Sequence, residues 1–205
     1  MENHLNLFID TVFIHNMIFA YFLGMCSYLA VSKTVKTSIG LGIAVVFVMV
    51  ITIPVNYLLE KYLLKEGSLT WLSPKLAEVD LSFLSFIIFI AVIAAIVQLV
   101  EMIVERFSPS LYNALGIFLP LIAVNCAVLG GALFMQQREF SNVLETVTFS
   151  FGSGLGWAVA IISLAAVREK IRYSNIPAPL RGLGITFILV GLMAFAFMGF
   201  MGFKL

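Results

Sequence analysis

The feature that most constrains this chain is the length of its apolar runs. A helix needs about 20 consecutive apolar residues to cross a bilayer. The sequence offers six such runs, at 5–31, 38–59, 81–104, 113–135, 147–167 and 182–203. Charged residues make up 11% of the chain and hydrophobic ones 61%, whereas a soluble domain is about 25% charged. Charge cannot cover this surface, so most of its solvent must be lipid. What remains between the runs is short loop, which leaves no room for a soluble domain. Residues 1–205 therefore read as a single all-α membrane domain with six transmembrane helices. The net charge of +1 gives no electrostatic footprint for nucleic acid.

The first run reads as a retained helix rather than a signal peptide. Its start, MENHLNLFID, holds Glu2 and Asp10 but no basic residue, and no small-residue cleavage site follows. Orientation follows from Lys and Arg near the ends of the runs. The N-terminal side carries Lys61, Lys65, Lys75, Arg138 and Lys204, and acids dilute the lysines of the 60–80 loop. The opposite side carries Lys33, Lys36 and Arg106, then Arg181 and the densest basic stretch, REKIR at 168–172. This side is expected in the cytoplasm, with both termini outside.

Three runs fall in 1–106 and three in 107–205. An odd number of spans per half inverts the second half, the inverted-repeat plan of many transporters. Each half also holds one cysteine, Cys26 and Cys126, and the chain has no others. At 1.5 Å per residue, Cys26 lies roughly 10–15 Å from the Lys33 end of its run and Cys126 roughly 20 Å from the same face. Both are therefore near the middle of an apolar layer about 30 Å thick, where a two-fold axis in the membrane plane would bring them together. Around the cysteines only Cys26/Cys126 and Leu29/Leu129 match at the hundred-residue offset. The repeat thus rests on helix count and cysteine placement. Gly24 precedes Cys26, Pro120 precedes Cys126, and Gly130 and Gly131 follow it. Proline and glycine at these points predict that the first and fourth helices are broken near the cysteines.

Two such thiols have three readings. They can be small buried hydrophobes, a disulfide, or metal ligands. An iron–sulfur centre is normally held by four thiolates, and this chain offers two. His4 and His15 both lie in the first run, His15 reading as a polar residue inside its helix, and neither is placed to complete a set. A metal reading therefore requires a second chain that supplies about two more cysteines.

Other polar groups at membrane depth are costly and need a reason. Gln98, Glu101 and Glu105 share one face of the third helix by their spacing. Glu105 abuts Arg106 and reads as interfacial. Glu101 lies a turn deeper. Either it reaches back to the interface, or it offers a carboxylate to a hard cation near the mouth of an ion path. FGSGLGW (151–157) lacks the phosphate-binding pattern of a nucleotide loop; Gly152 and Gly156 instead form a G-x-x-x-G close-packing face.

Four stretches carry a resemblance: FLGMCSYLAVSK (22–33), YNALGIFLPLIAVNCAVLGG (112–131), FGSGLGW (151–157) and YSNIPAPLRGLGITFI (173–188). They resemble the membrane-protein family that includes the D-type and E-type subunits of the bacterial Na+-translocating NADH:quinone reductase (Nqr) and their relatives in the Rnf electron-transport complex. The E type is the most similar, over the full length. The resemblance implies an inner-membrane protein, in which the termini placed outside by the basic residues would be periplasmic, in a complex that oxidises NADH, reduces ubiquinone and pumps sodium outward. It implies the A, B, C, D and F components of Nqr as partners, with the D-type protein as the inverted counterpart. It also implies an iron–sulfur centre, 2Fe–2S, shared between the two chains, with Cys26 and Cys126 at this chain's ligand positions. NADH, FAD, FMN and quinone would belong to other subunits. The alternatives are the Rnf counterpart, a cation-conducting subunit in which Glu101 matters, and a structural subunit without a redox centre.

Overall fold

The computed structural model describes residues 2–64, 84–107, 112 and 122–199. Their regular elements are helices, with no strand among them. In chain order the helices are α1 (Glu2–Ile9), α2 (Met25–Val31), α3 (Val35–Leu59), α4 (Ser85–Phe107), α5 (Cys126–Arg138), α6 (Val143–Ile171) and α7 (Leu183–Met198). Wider π-type turns extend α1 through Ile14 and α3 through Leu64, and one short 3-10 turn, Ala178–Leu180, precedes α7.

Among the described residues three helices are long and apolar enough to cross a membrane: α3 with its extension, α4 and α6. The first predicted run is broken. Its helix ends at Ile14, irregular turns follow, and a second helix starts at Met25. His15 therefore caps the end of a helix rather than sitting inside one. There it shares a hydrogen bond of 2.7 Å with Tyr21 and lies 3.7 Å from Asp10. Asp10 also lies 3.6 Å from Arg138, which joins the end of α1 to the end of α5. The sequence places the break near Gly24; the helix stops ten residues earlier, at Ile14, beside the polar residues His15 and Asn16. Asn16 sets the break. Its side-chain amide donates to Val12 O and to Gly156 O, both at 2.9 Å, and its oxygen accepts from Ile18 N at 2.9 Å. An unwound segment at membrane depth needs such internal partners, since lipid offers none.

The centre of the molecule is the α3–α6 pair. Lipid tails are as apolar as leucine, so close packing rather than water exclusion must hold such helices together. Small residues permit that packing. A side chain at Gly154 would come within 3.0 Å of the Val46 Cα, and one at Gly42 within 3.1 Å of the Ala158 Cβ. The G-x-x-x-G face does the same for α1. Gly152 meets Thr11 and Phe8, while Gly156 meets Val12 and Asn16. Side chains buried at the centre include Leu41, Met49 and Ile53 of α3 and Phe149, Trp157 and Ile161 of α6.

The outer helices differ from this pair. Of the most apolar 18-residue stretch, 61% is buried in α6 and 18% in α4. α4 presents Phe89, Ile93 and Val97 inward, one turn apart, and leaves Ile87, Leu99 and Met102 exposed. α7 leaves Leu183, Phe187, Leu192 and Phe195 exposed and touches the N-terminal segment through Phe197, whose ring centroid lies 4.3 Å from that of Phe19. Both helices thus offer apolar faces to lipid or to another chain.

Gly130 and Gly131 are not breaks. Both lie inside the continuous helix α5. Gly130 receives the Leu23 side chain, and Gly131 receives Ile53 and Met49. Here glycine serves close approach, not unwinding. Pro120, the loop 65–83, residues 113–121 and the end of the sixth run lie outside the described residues.

Candidate functional site

The two cysteines meet. Cys26 is the second residue of α2 and Cys126 the first residue of α5, and their sulfurs are 3.9 Å apart. Both side chains are exposed at the surface of this chain, and both are free thiols. A disulfide would need about 2.04 Å.

Packing of one loop against the other sets this distance. Gly24, the residue that caps α2, has φ +81°, a conformation that glycine adopts without strain. A Cβ there would lie 2.6 Å from Trp157 Nε1, 2.8 Å from Asn125 Oδ1 and 3.0 Å from the Ala127 Cβ. The bare backbone of the first loop is thus pressed onto the second loop and onto α6. On the other side, Asn125 caps α5, its side-chain oxygen accepting from Ala127 N at 3.0 Å. Asparagine is among the best residues at this position because its oxygen satisfies an otherwise orphaned helix amide. The chain therefore turns into a helix at each cysteine. In both cases the residue that starts the turn touches the other loop.

α2 is also anchored at its far end. Arg168 of α6 donates from Nη1 to Leu29 O at 3.0 Å and to Ser32 Oγ at 2.7 Å. The seven-residue helix that carries Cys26 is thus held between Trp157 and Arg168 of one long helix.

Two thiolates bound to one tetrahedral metal at about 2.3 Å stand about 3.8 Å apart, close to the separation seen here. Among the described residues no group of three or more His, Cys, Asp or Glu side chains is placed to hold a metal ion. This chain therefore presents two sulfurs at ligand spacing, open to the outside, and no third ligand among the described residues. Two N–H donors beside the pair, Asn125 Nδ2 and Trp157 Nε1, are buried without a hydrogen-bond partner. A buried donor without an acceptor is costly. Both donors sit inside this chain whereas the thiols face outward, so what fits a shared group here is the sulfur spacing.

Glu101 is half-buried on α4 and makes no hydrogen bond or ion pair with a described residue. Gln98 and Glu105 on the same helix are exposed. The sequence did not single out Asn16, Asn125 or Trp157, and it read Arg168 only as part of the basic stretch at 168–172. Asn125 carried a readable signal, an asparagine directly before a helix start. The other three act across long sequence separations and have no local signature.

A family profile described as "Rnf-Nqr subunit, membrane protein" matches residues 4–204. A protein of Rhodopirellula baltica, named as the E component of "Na(+)-translocating NADH-quinone reductase", is 59% identical over the full length of both chains. Proteins of the same name from Psychrobacter cryohalolentis and Methylococcus capsulatus are each 58% identical, again over the full length of both.

Proposed function

This chain belongs to the Rnf-Nqr family of membrane subunits, and on that premise we propose that it is the E-type subunit of a Na+-translocating NADH-quinone reductase, a translocase component with no catalysis of its own. Its role in this reading is to hold half of an intramembrane 2Fe–2S centre, with Cys26 and Cys126 as two ligands and the D-type protein supplying the other two. Such a centre, when bound, supplies one-electron transfer toward flavin and quinone on other subunits. The observation that carries the reading is the pair of exposed sulfurs 3.9 Å apart, each at a helix start that packing fixes in place.

The chain's own residues do three things in this reading. Cys26 and Cys126 present thiolates to the partner face. Gly24 and Asn125 set their separation. Trp157 backs Gly24 from α6 and so holds the first loop against the second. The chain is one membrane domain of six spans in two inverted halves, about 1–106 and 107–205. It lies in the inner membrane with periplasmic termini, beside the A, B, C, D and F components of the complex. NADH, FAD, FMN and quinone sit on those partners. Glu101, without a partner among the described residues, contributes a carboxylate to the cation path.

The test uses the purified complex, wild type beside Cys26→Ala and Cys126→Ala, with assembly checked on a native gel. Each variant should assemble, lose iron and the low-temperature EPR signal, and lose NADH-driven quinone reduction together. Iron and activity retained in both variants would remove the cysteines from the relay. A Glu101→Gln complex prepared in parallel should keep its iron and need severalfold more sodium for half-maximal turnover. An unchanged sodium requirement would take Glu101 out of the ion path.

A further inference from the structure

A cavity of about 410 Å³ opens at the end of α6 and α7 that carries REKIR. Four cationic side chains line it: Lys33, Arg168, Arg172 and Arg181. None of them has a carboxylate within ion-pair distance among the described residues. Glu169, the one acid of REKIR, accepts instead from Val35 N at 2.9 Å, at the start of α3. Four like charges around one hollow repel one another unless an anion sits between them.

The backbone adds to the pull. Gly182 lines the cavity and caps α7 with φ +98° and ψ −118°, and no side chain caps the helix. The first amides of a 16-residue helix are therefore left without side-chain partners, and Ile185 and Thr186 of its first turn also line the hollow. Uncapped helix starts favour anions, phosphate above all. Nothing lies within 4 Å of where a Gly182 side chain would begin, so the approach is open.

The inner wall is apolar. Ile185 and Leu189 of α7 form it, and the same helix continues away from the cavity with Ile188, Leu192 and Phe195 exposed. A ligand that fits must be anionic at one end and apolar at the other. We propose that this cavity binds the phosphate of an anionic phospholipid headgroup, with the acyl chains lying along the outer face of α7. The site lies where a headgroup layer meets the end of an apolar span, and cationic hollows of this kind between helices suit such headgroups. Arg168 lines the cavity and also holds the end of α2, so the lipid and the Cys26 helix share one guanidinium. The proposal stands apart from any metal reading of the thiols.

The experiment starts from the intact, delipidated complex in detergent, wild type beside Arg172→Gln/Arg181→Gln and Arg172→Lys/Arg181→Lys. Short-chain phosphatidylglycerol, phosphatidylcholine of the same chain length and inorganic phosphate are titrated separately and read by native mass spectrometry. Wild type should hold one phosphatidylglycerol more per complex than the glutamine variant. Affinity at that site should fall roughly thirtyfold in the glutamine variant, about fivefold per arginine, and most of it should return in the lysine variant, which keeps the charge. Equal retention by wild type and the glutamine variant would overturn the proposal. Phosphatidylcholine bound as tightly as phosphatidylglycerol would do so as well, and inorganic phosphate alone matching the lipid would show a free-anion site instead.

Discussion

The two helix starts that carry the thiols solve one problem in different ways. At Cys26 the backbone turns through a glycine in the left-handed region, and no side chain caps the helix. At Cys126 the backbone enters the helix from an ordinary extended conformation, and Asn125 supplies the cap. The first start is short and depends on others: α2 has seven residues, with Trp157 at one end and Arg168 at the other. The second opens a 13-residue helix that buries Ala127, Val128 and Met135 in the core. The two starts therefore bring their sulfurs together by different chemistry. One outcome is reached through a bare backbone at the first start and a capping side chain at the second.

That asymmetry predicts unequal fragility, and the larger effect belongs to Gly24. Gly24→Ala puts a Cβ against Trp157, Asn125 and Ala127 at 3.0 Å or less and adds left-handed strain of about 1–2 kcal/mol. Trp157 is fully buried in α6 and cannot move away cheaply. The expected result is a complex with strongly reduced iron and lowered thermal stability, although both cysteines remain. Gly24→Ala with normal iron content would show that the contact between the loops does not set the sulfur spacing. It would also erase the contrast between the two starts.

The sequence carried part of this architecture and hid the rest, for physical reasons. Run length exposed α3, α4 and α6, because a spanning helix must be long and apolar. The G-x-x-x-G of Gly152 and Gly156 was legible because close helix approach needs small residues at that spacing. The cysteine pair was legible from its placement, one per half. The break at His15 was not. It follows from Asn16 reaching Gly156 O, a partner 140 residues away, and nothing local distinguishes that asparagine from any other polar residue in a membrane helix. Gly130 and Gly131 were misleading because glycine serves both unwinding and close packing, and only the positions of Leu23, Met49 and Ile53 show which applies. The hollow lined by Lys33, Arg168, Arg172 and Arg181 was hidden for a related reason. Its cations come from separate stretches, and in the sequence they read only as an orientation signal.

The smaller effect belongs to Asn125. Asn125→Ala removes one capping hydrogen bond, worth about 1 kcal/mol, and leaves the Ala127 amide without its acceptor. The rest of α5 stays packed on α3, so the helix should persist and lose order only at its first turn, which is the turn that holds Cys126. The expected complex assembles and keeps most of its iron, with a modest drop in thermal stability and a broadened EPR signal as the Cys126 sulfur samples more positions. If Asn125→Ala matched Gly24→Ala in its loss of iron, both starts would be equally fragile. The fold would then lack the rigid half and dependent half that their geometry describes.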